Sequence, residues 1–339
     1  MLIVRPARLS DLDALFAIAR EIGAPGLTVP TERAAIESLI FDSVEALAGE
    51  IDFPSEERYL LVATDTVSDT PLGLITLRAA AGHPGADYSY RNDTIIHASP
   101  ELGVNHRIYA LSLSHDLSGF TQLTPALARR TVFGSRITEV LTRAALLFIS
   151  EHPQRFADDL IAPLPGVVDA AGRSPFWDAV GSKFFGVPFA QADQLALGRD
   201  RTFLAELMPH HPIYVPLLPE VAQHALGQTR DDFMSTYTLL LNEGFEAERY
   251  VDIFDGGPTF YANRNLVSSI RQAQHLPLAL HSGTNHQANP CLISNLETSE
   301  FRAISASATL RADGRLGIGT DIARQLELND HDEVRCVFL

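Results

Sequence analysis

Two stretches of the chain concentrate side chains able to move protons or hold charge. Phe203–Tyr214 reads FLAELMPHHPIY and sets Glu206, His210 and His211 among apolar residues; Val251–Thr259 reads VDIFDGGPT. Neither has a clean helical or strand period. Asp255-Gly256-Gly257-Pro258 is a turn with a mechanism, since glycine takes positive φ without penalty and proline fixes the exit. An imidazole exchanges protons near neutral pH, so His211 is a candidate general base. Glu206 lies amid Leu204, Ala205, Leu207 and Met208, and an acid in apolar surroundings is costly unless paired. Glu206 and Asp116 are therefore candidates to pair with a cationic group, in the bidentate way that suits guanidinium. A structural salt bridge satisfies the same residues, and both stretches are equally readable as well-packed connectors. His115-Asp116 is not a dyad if it lies on a strand, because neighbours there point to opposite faces. Arg129, Arg130 and Arg136 can meet phosphates or form a solvated turn. The histidines show no metal-ligand spacing, and no G-x-S-x-G elbow occurs.

Composition limits what these groups can serve. With 339 residues, 46% hydrophobic and 20% charged, the chain has room for two or three domains with a sizeable core. No apolar run approaches the roughly 18 residues that span a bilayer. The opening MLIVRPARLSDLDAL reads as a strand entering a helix, not as a signal peptide. The net charge of −16 makes the chain a poor binder of nucleic acid or membrane surfaces, so no partner of either kind is expected. Arginine carries nearly all the positive charge, and an anionic ligand must find a local arginine cluster or backbone N–H groups. Two cysteines, Cys291 and Cys336, imply no disulfide framework and a cytoplasmic setting.

The elements that must position the site follow from periodicity and punctuation. Ile3–Arg5 reads as a strand, and Ser10 as the cap of a helix whose apolar face is Leu12, Leu15, Phe16 and Ala19, with Asp13 completing a capping box. A second helix starts at Thr31. Arg58–Asp65 and Leu72–Arg78 read as paired strands, and Arg107–Ser114 and Phe120–Ala128 as further strands. Arg136–Ile149 is the clearest helix, ended by Pro153; Leu160–Val168 is a strand broken by prolines; Ser174-Pro175 opens a helix carrying Trp177. Glu220–Leu226 and Asp231–Glu243 are helices with glycine just past each end. His275–Asn289 reads as a linker, and Cys291–Leu339 as short strands. The class is α+β with a mixed sheet flanked by helices. The expected units are 1–200, a helical and connecting extension over 201–283, and a small barrel-like β module over 284–339.

Longer strings carry a resemblance. RNDTIIHAS (Arg91–Ser99), LSLSHDLSG (Leu111–Gly119), SPFWDAVGSKFF (Ser174–Phe185), TFLAELMPHHPIYVPLLP (Thr202–Pro219), ALGQ (Ala225–Gln228) and YVDIFDGGPT resemble, in order, the arginine N-succinyltransferase family, and most closely its alpha chains. The resemblance implies a Gcn5-related N-acyltransferase fold over the first 200 residues. It also implies an enzyme of arginine breakdown that moves succinyl from succinyl-CoA, a co-substrate, to the α-amine of arginine or ornithine, with no tightly bound cofactor. A beta-type paralogous chain, or self-association, is the implied partnership. The family's donor site falls on Ala126, Arg129, Arg130 and Gly134, where FGSRIT lacks the glycine pattern that lets backbone approach phosphates. His97 and Ser99 lie in a family string and are either substrate contacts or turn-stabilising groups. Arg230 stands where the family has its proton-donating histidine; a guanidinium with a pKa above about 12 cannot take over that role, though it can bind a carboxylate. His211 then remains the candidate base. The same departures leave a second reading, a catalytically silent chain or an amino-acid or acyl-CoA binder that needs a beta-type partner.

Overall fold

In the computed structural model, residues 1–22, 29–129, 134–196, 207–281 and 288–339 are described. Strand β1 is Leu2–Pro6, β2 Arg58–Asp65 and β3 Pro71–Arg78; β2 pairs antiparallel with both neighbours. In β2, Tyr59–Thr64 are all buried. Side chains alternate across a strand. Tyr59, Leu61 and Ala63 accordingly join the apolar cluster under helix α3 (Gly134–Glu151), while Leu60 and Val62 join the one under α1 (Leu12–Ile22) and α2 (Arg33–Ala48). A strand covered on both faces has no polar side to show, which explains its continuous apolar reading.

The sheet continues through β6 (Thr121–Leu123), β8 (Asp159–Pro163), β11 (Pro258–Asn263), β10 (Glu246–Asp252), β4 (Ser89–Ser99), β5 (Val104–Ser114) and β9 (Ile213–Tyr214), in that order beyond β3; β7 (Leu127–Ala128) pairs with β3. The β4–β5 hairpin pairs along its whole length, from Ser89 opposite Ser114 to Ser99 opposite Val104. Only Ser89–Arg91 of β4 meet β10 and only Ala110–Leu111 of β5 meet β9 in the described ladders, so its outer half projects from the sheet. Ile96 and Tyr109, on that half, are 64% and 52% exposed.

The remaining strands are β12 (Gln274–His281), β13 (Asn289–Ser294), β14 (Ala303–Leu310), β15 (Leu316–Gly319) and β16 (Glu333–Phe338). They pair in a closed circuit, β13 to β16, β12, β15, β14 and back to β13, around Leu278, Ile293, Leu316 and Leu326. β14 also pairs with β1 through Ile3–Ile304 and Val4–Ala303, which makes the circuit continuous with the main sheet.

Several sequence expectations shift. Ser10 does not cap α1: a short turn, Leu9–Asp11, precedes it, and Asp11 accepts the Arg8 N–H at 2.8 Å and a bidentate pair from buried Arg5 at 2.8 and 3.0 Å. Helix α2 starts at Arg33 rather than Thr31. The single strand expected over Phe120–Ala128 is two, β6 and β7, broken around Pro125. The strand expected over Leu160–Val168 ends at Pro163. The linker expected from His275 is strand as far as His281, because its apolar residues, Leu276, Leu278 and Leu280, alternate toward the interior of the circuit. Asp231–Glu243 begins as a tight turn and becomes a regular helix at Met234; Gly244 closes it at φ +96°.

In the Asp255–Pro258 turn, Gly256 has φ +71°. Gly257 is needed for a different reason: a Cβ there would lie 2.3 Å from the Leu164 carbonyl oxygen and 2.5 Å from the Gly166 nitrogen. Gly257→Ala is therefore expected to destabilise the fold by about 1–3 kcal/mol, read as a lower midpoint in urea or thermal unfolding.

Candidate functional site

Among the described strands, the sheet parts between β6–β7 and β8. β6 and β8 run parallel and pair at Thr121–Leu160 and Gln122–Ile161. Beyond that point β7 pairs only with β3, and Ala162 and Pro163 of β8 pair only with β11. Proline has no N–H with which to extend a ladder, and Pro125 stands on one wall, Pro163 and Pro165 on the other. Thr124 draws the first wall toward β3: its N–H donates to the Thr76 carbonyl at 2.9 Å, and its hydroxyl accepts the Thr76 N–H at 3.0 Å. Farther on, the Arg129 N–H donates to the Leu72 carbonyl at 2.9 Å. In an antiparallel ladder the peptide groups of the neighbouring residue, Ala128, then point the other way, into the gap. The result is a cleft between parting strands.

Helix α3 begins at its mouth. Its early turns sit close on β3 and β7 because Gly73 leaves room: a Cβ at Gly73 would lie 2.6 Å from the Leu127 carbonyl oxygen and 2.8 Å from Ile137 Cγ2. A helix of 18 residues presents unpaired N–H groups and partial positive charge at its start, an arrangement that suits an anion. At Gly134, the first helical residue, the nearest atom to a Cβ among the described residues is the Arg129 carbonyl oxygen, at an ordinary 3.5 Å. Ala126 is buried in the bend between β6 and β7. The Nε of Arg129 is shielded from water and bonded to nothing.

A second segment crosses the same mouth. The Gly227 N–H donates to the Gly256 carbonyl at 2.8 Å, and Thr229 bridges to Gly166, its hydroxyl donating to the Pro165 carbonyl at 2.9 Å. The Arg230 N–H also reaches the Pro165 carbonyl, at 3.3 Å. Phe233 then buries itself in the cluster that contains Leu74, Leu127 and the inner face of α1. The segment thus starts beyond β8 and ends against β7, with Arg230 between. Arg230 gives Nε and Nη2 to the two oxygens of Asp232, at 3.0 and 2.7 Å, and its guanidinium lies 5.6 Å above the Phe233 ring.

Asp255 anchors this side. Its Oδ2 accepts the Gly166 N–H at 2.7 Å and its Oδ1 the Gly257 N–H at 2.8 Å. Complete burial, with the charge of Asp252 nearby, pushes the carboxyl up to about 8 against the pull of those two donors.

The other sequence-derived candidates lie elsewhere. His211 is exposed, two residues before β9, which is five strand steps from β8 along the sheet. His97 is exposed on the projecting hairpin, edge-on to Tyr214 at 6.2 Å. The Ser99 hydroxyl accepts the Leu102 N–H at 3.3 Å and stabilises the hairpin turn. Asp116 accepts Arg91 Nη1 at 2.8 Å and the Tyr250 hydroxyl at 3.4 Å; a Ser114 hydrogen bond and the Arg91 charge hold its carboxyl below the usual range. Trp177 is fully buried, its N–H given to the Val187 carbonyl, and its helix is capped by Ser174. Arg130 and Glu206 lie outside the described residues. The structure therefore gathers Ala126, Arg129, Gly134 and Arg230 around the cleft and does not bring His97, Ser99, Asp116 or His211 there. The prolines of Leu160–Val168 read from sequence only as breaks in a strand; together with Pro125 they are the signal that could have marked the cleft. Nothing in the sequence marks Phe233 as the residue that carries the crossing segment to β7.

Comparison with known proteins fits this geometry. Residues 2–269 match the family described as arginine N-succinyltransferase beta subunit, and residues 274–338 match that family's C-terminal domain. The chain is 36% identical over 337 residues to arginine N-succinyltransferase subunit alpha of Pseudomonas aeruginosa, covering 99% of both chains. It is 32% identical over 339 residues to arginine N-succinyltransferase of Escherichia coli, covering 100% of this chain and 98% of the relative. Among solved structures, arginine/ornithine succinyltransferase subunit AI from Pseudomonas aeruginosa superposes with a TM-score of 0.87 at 34% identity, over 100% of this chain and 98% of that one. The chain belongs to the arginine N-succinyltransferase family.

Two measurements test the site's architecture. Gly73→Ala should lose about 1–3 kcal/mol of stability, while Gly134→Ala should stay within about 0.5 kcal/mol of the wild type in chemical denaturation. Asp255 has a folded-state pKa raised above its unfolded value, so its contribution is fully present below about pH 4 and is lost as pH rises through about 8. Asp255→Asn should flatten the decline of the thermal midpoint between about pH 4 and about pH 8.

Proposed function

We propose that this chain is an alpha-type arginine/ornithine N-succinyltransferase that transfers succinyl from succinyl-CoA to the α-amine of its acceptor. The observation that supports this most is the parting of β6 and β8 with the start of α3 at its mouth, in a chain that shares 36% identity with a protein named as such a subunit. The reading takes the sheet as a Gcn5-related N-acyltransferase core and the closed circuit of β12–β16 as a small barrel-like module. The last unit then begins at Gln274, so that β12 joins it. A cytoplasmic setting and assembly with a beta-type chain belong to the same reading.

The chemistry is attack of a neutral amine on a thioester carbonyl, with CoA thiolate as leaving group. Peptide groups of Ala128, beside Ala126, suit the extended pantetheine arm as an added strand would. Arg129, Arg130 and the α3 start at Gly134 suit its phosphates. The wall lacks a glycine-rich loop, so side-chain cations replace part of what backbone N–H groups supply. Arg230 gives its N–H groups to Asp232, and a guanidinium neither takes a proton from the amine nor gives one to the leaving sulfur. Asp116 is engaged by Arg91 and serves the hairpin base; Glu206 remains the acidic candidate for a basic acceptor.

A second reading has a specific observation in its favour. Arginine stands at the position of the family's proton-donating histidine, and this suits a chain that completes its activity beside a beta-type partner. Isothermal titration with CoA and succinyl-CoA, followed by an assay of succinylarginine with the purified chain, separates the two. Heat of binding together with turnover supports the enzyme; binding without turnover supports the partnered chain. Absence of both in the presence of a beta-type chain would sink the donor assignment.

A further inference from the structure

The outer half of the β4–β5 hairpin lacks what normally keeps a strand pair alone in water. From Thr94 to Tyr109 it is two strands wide, since the described ladders to β10 and β9 stop at Arg91 and Ala110. A two-stranded ribbon without a covering layer is marginal in water. Thr94 lies opposite Tyr109, so exposed Ile96, two residues on, shares a face with that ring. The two free edges differ. The β5 edge carries His106 and Arg107, and the turn Val215–Leu217 packs beside β5. On β4 the stretch Thr94–Ala98, TIIHA, contains no Asp, Glu, Lys, Arg or Pro, and Thr94, Ile96, His97 and Ala98 are exposed. Proteins blunt an open strand edge with charge, proline or a covering element, because its unpaired N–H and C=O groups recruit another strand. Thr94–Ala98 shows none of these devices among the described residues.

Charge selects the occupant. Two copies of a chain of net charge −16 repel unless they meet where acids are absent, and this stretch is such a place. An edge with no formal charge gives a basic segment nothing to pair with, whereas a copy brings a strand of the same free length and the same lack of charge. We infer that the β4 edge is the contact between two copies of this chain, their β4 strands pairing antiparallel about a twofold axis at Ile96, the centre of the free stretch. The contact is isologous, so Ile96 meets the partner's Ile96, Thr94 the partner's Ala98, and Ile95 the partner's His97, with no like charges opposed. The ribbon then has four strands, in the order β5, β4, β4, β5, and Ile96 and Tyr109 of both copies gather on one face. The inference stands on the hairpin and is independent of the reaction proposed above.

Sedimentation velocity of the whole purified chain, from about 0.1 to 100 μM, should show a dimer that dissociates on dilution. Ile96→Asp sets two carboxylates opposite each other and should weaken the dimer by about 100-fold or more. Ile96 is exposed, so the circular dichroism of that variant should match the wild type and report that it is folded. Ile96→Cys reads the register directly. Opposite residues of an antiparallel pair have Cα atoms about 4.5–5.5 Å apart, within the reach of a disulfide. Native Cys291 and Cys336 are buried, so the background is low. Copper phenanthroline should convert the Ile96→Cys chain to a covalent dimer. It should leave Asn105→Cys, on β5, uncoupled, because three strand spacings of about 4.8 Å would separate the two thiols. A wild type that stays monomeric throughout overturns the inference, as does a dimer that Ile96→Asp leaves intact and Ile96→Cys does not lock. Cross-linking of Ile96→Cys only to a co-expressed beta-type chain also overturns it, and gives this edge to the paralogue.

Discussion

Two strands that begin as a hydrogen-bonded parallel pair and then separate set the conditions for everything around them. A sheet interior is normally saturated, with each N–H and C=O committed to a neighbour. Where β6–β7 and β8 diverge, peptide groups on the inner edges lose that commitment, and the surroundings must either cover them or leave them for a ligand. Each wall is drawn outward by its own partner, the first by Thr124 and Arg129 on β3, the second by β11. Prolines on both walls prevent the ladder from closing again. The opening is therefore a product of competing pairings, and its width is fixed by strands that lie outside it.

The surrounding parts keep this gap in order. Gly73 lets α3 settle onto the first wall, which brings a helix start to the mouth. Asp255 ties the second wall to its own turn by accepting N–H groups from Gly166 and Gly257, and the crossing segment leans on that junction through Thr229. The Arg143 side chain joins the middle of α3 to Glu243, at the end of the helix that follows the crossing segment. Glu243 in turn accepts the N–H and hydroxyl of Ser269. Ion pair, backbone hydrogen bonds and close glycine contacts thus act on one geometry from different sides.

What could be read from the sequence depended on range. β2, β3 and α3 were legible because their apolar residues recur with the local period and their ends are marked, α3 by Pro153 and the Trp177 helix by Ser174. β4 was not read as a strand: its outer half is mixed in polarity because it has no covering layer, and no alternation develops there. β12 reads as a linker because histidines and proline mask Leu276, Leu278 and Leu280. For the site, the positions of the family's glycine loop and proton-donating histidine fall on Ala126, Arg129, Gly134 and Arg230, which lie around the cleft. The family strings themselves hold His97, Ser99 and Asp116, which lie on the hairpin and at its base. A string match cannot separate these cases, because the distinction lies in which strand neighbours which, and β10 and β11 enter the sheet between β8 and β4 from far along the chain.

The seam between β1 and β14 has a consequence for how the molecule is made. β1 is made before every other strand described, yet its outer edge is completed by residues Ala303 and Ile304. During synthesis that edge stays open while some three hundred residues emerge, and an open edge is a template for stray pairing. The circuit that holds β14 is closed by β16, which follows it in the chain. The cover of β1 thus comes with a unit that cannot close until still later residues are in place.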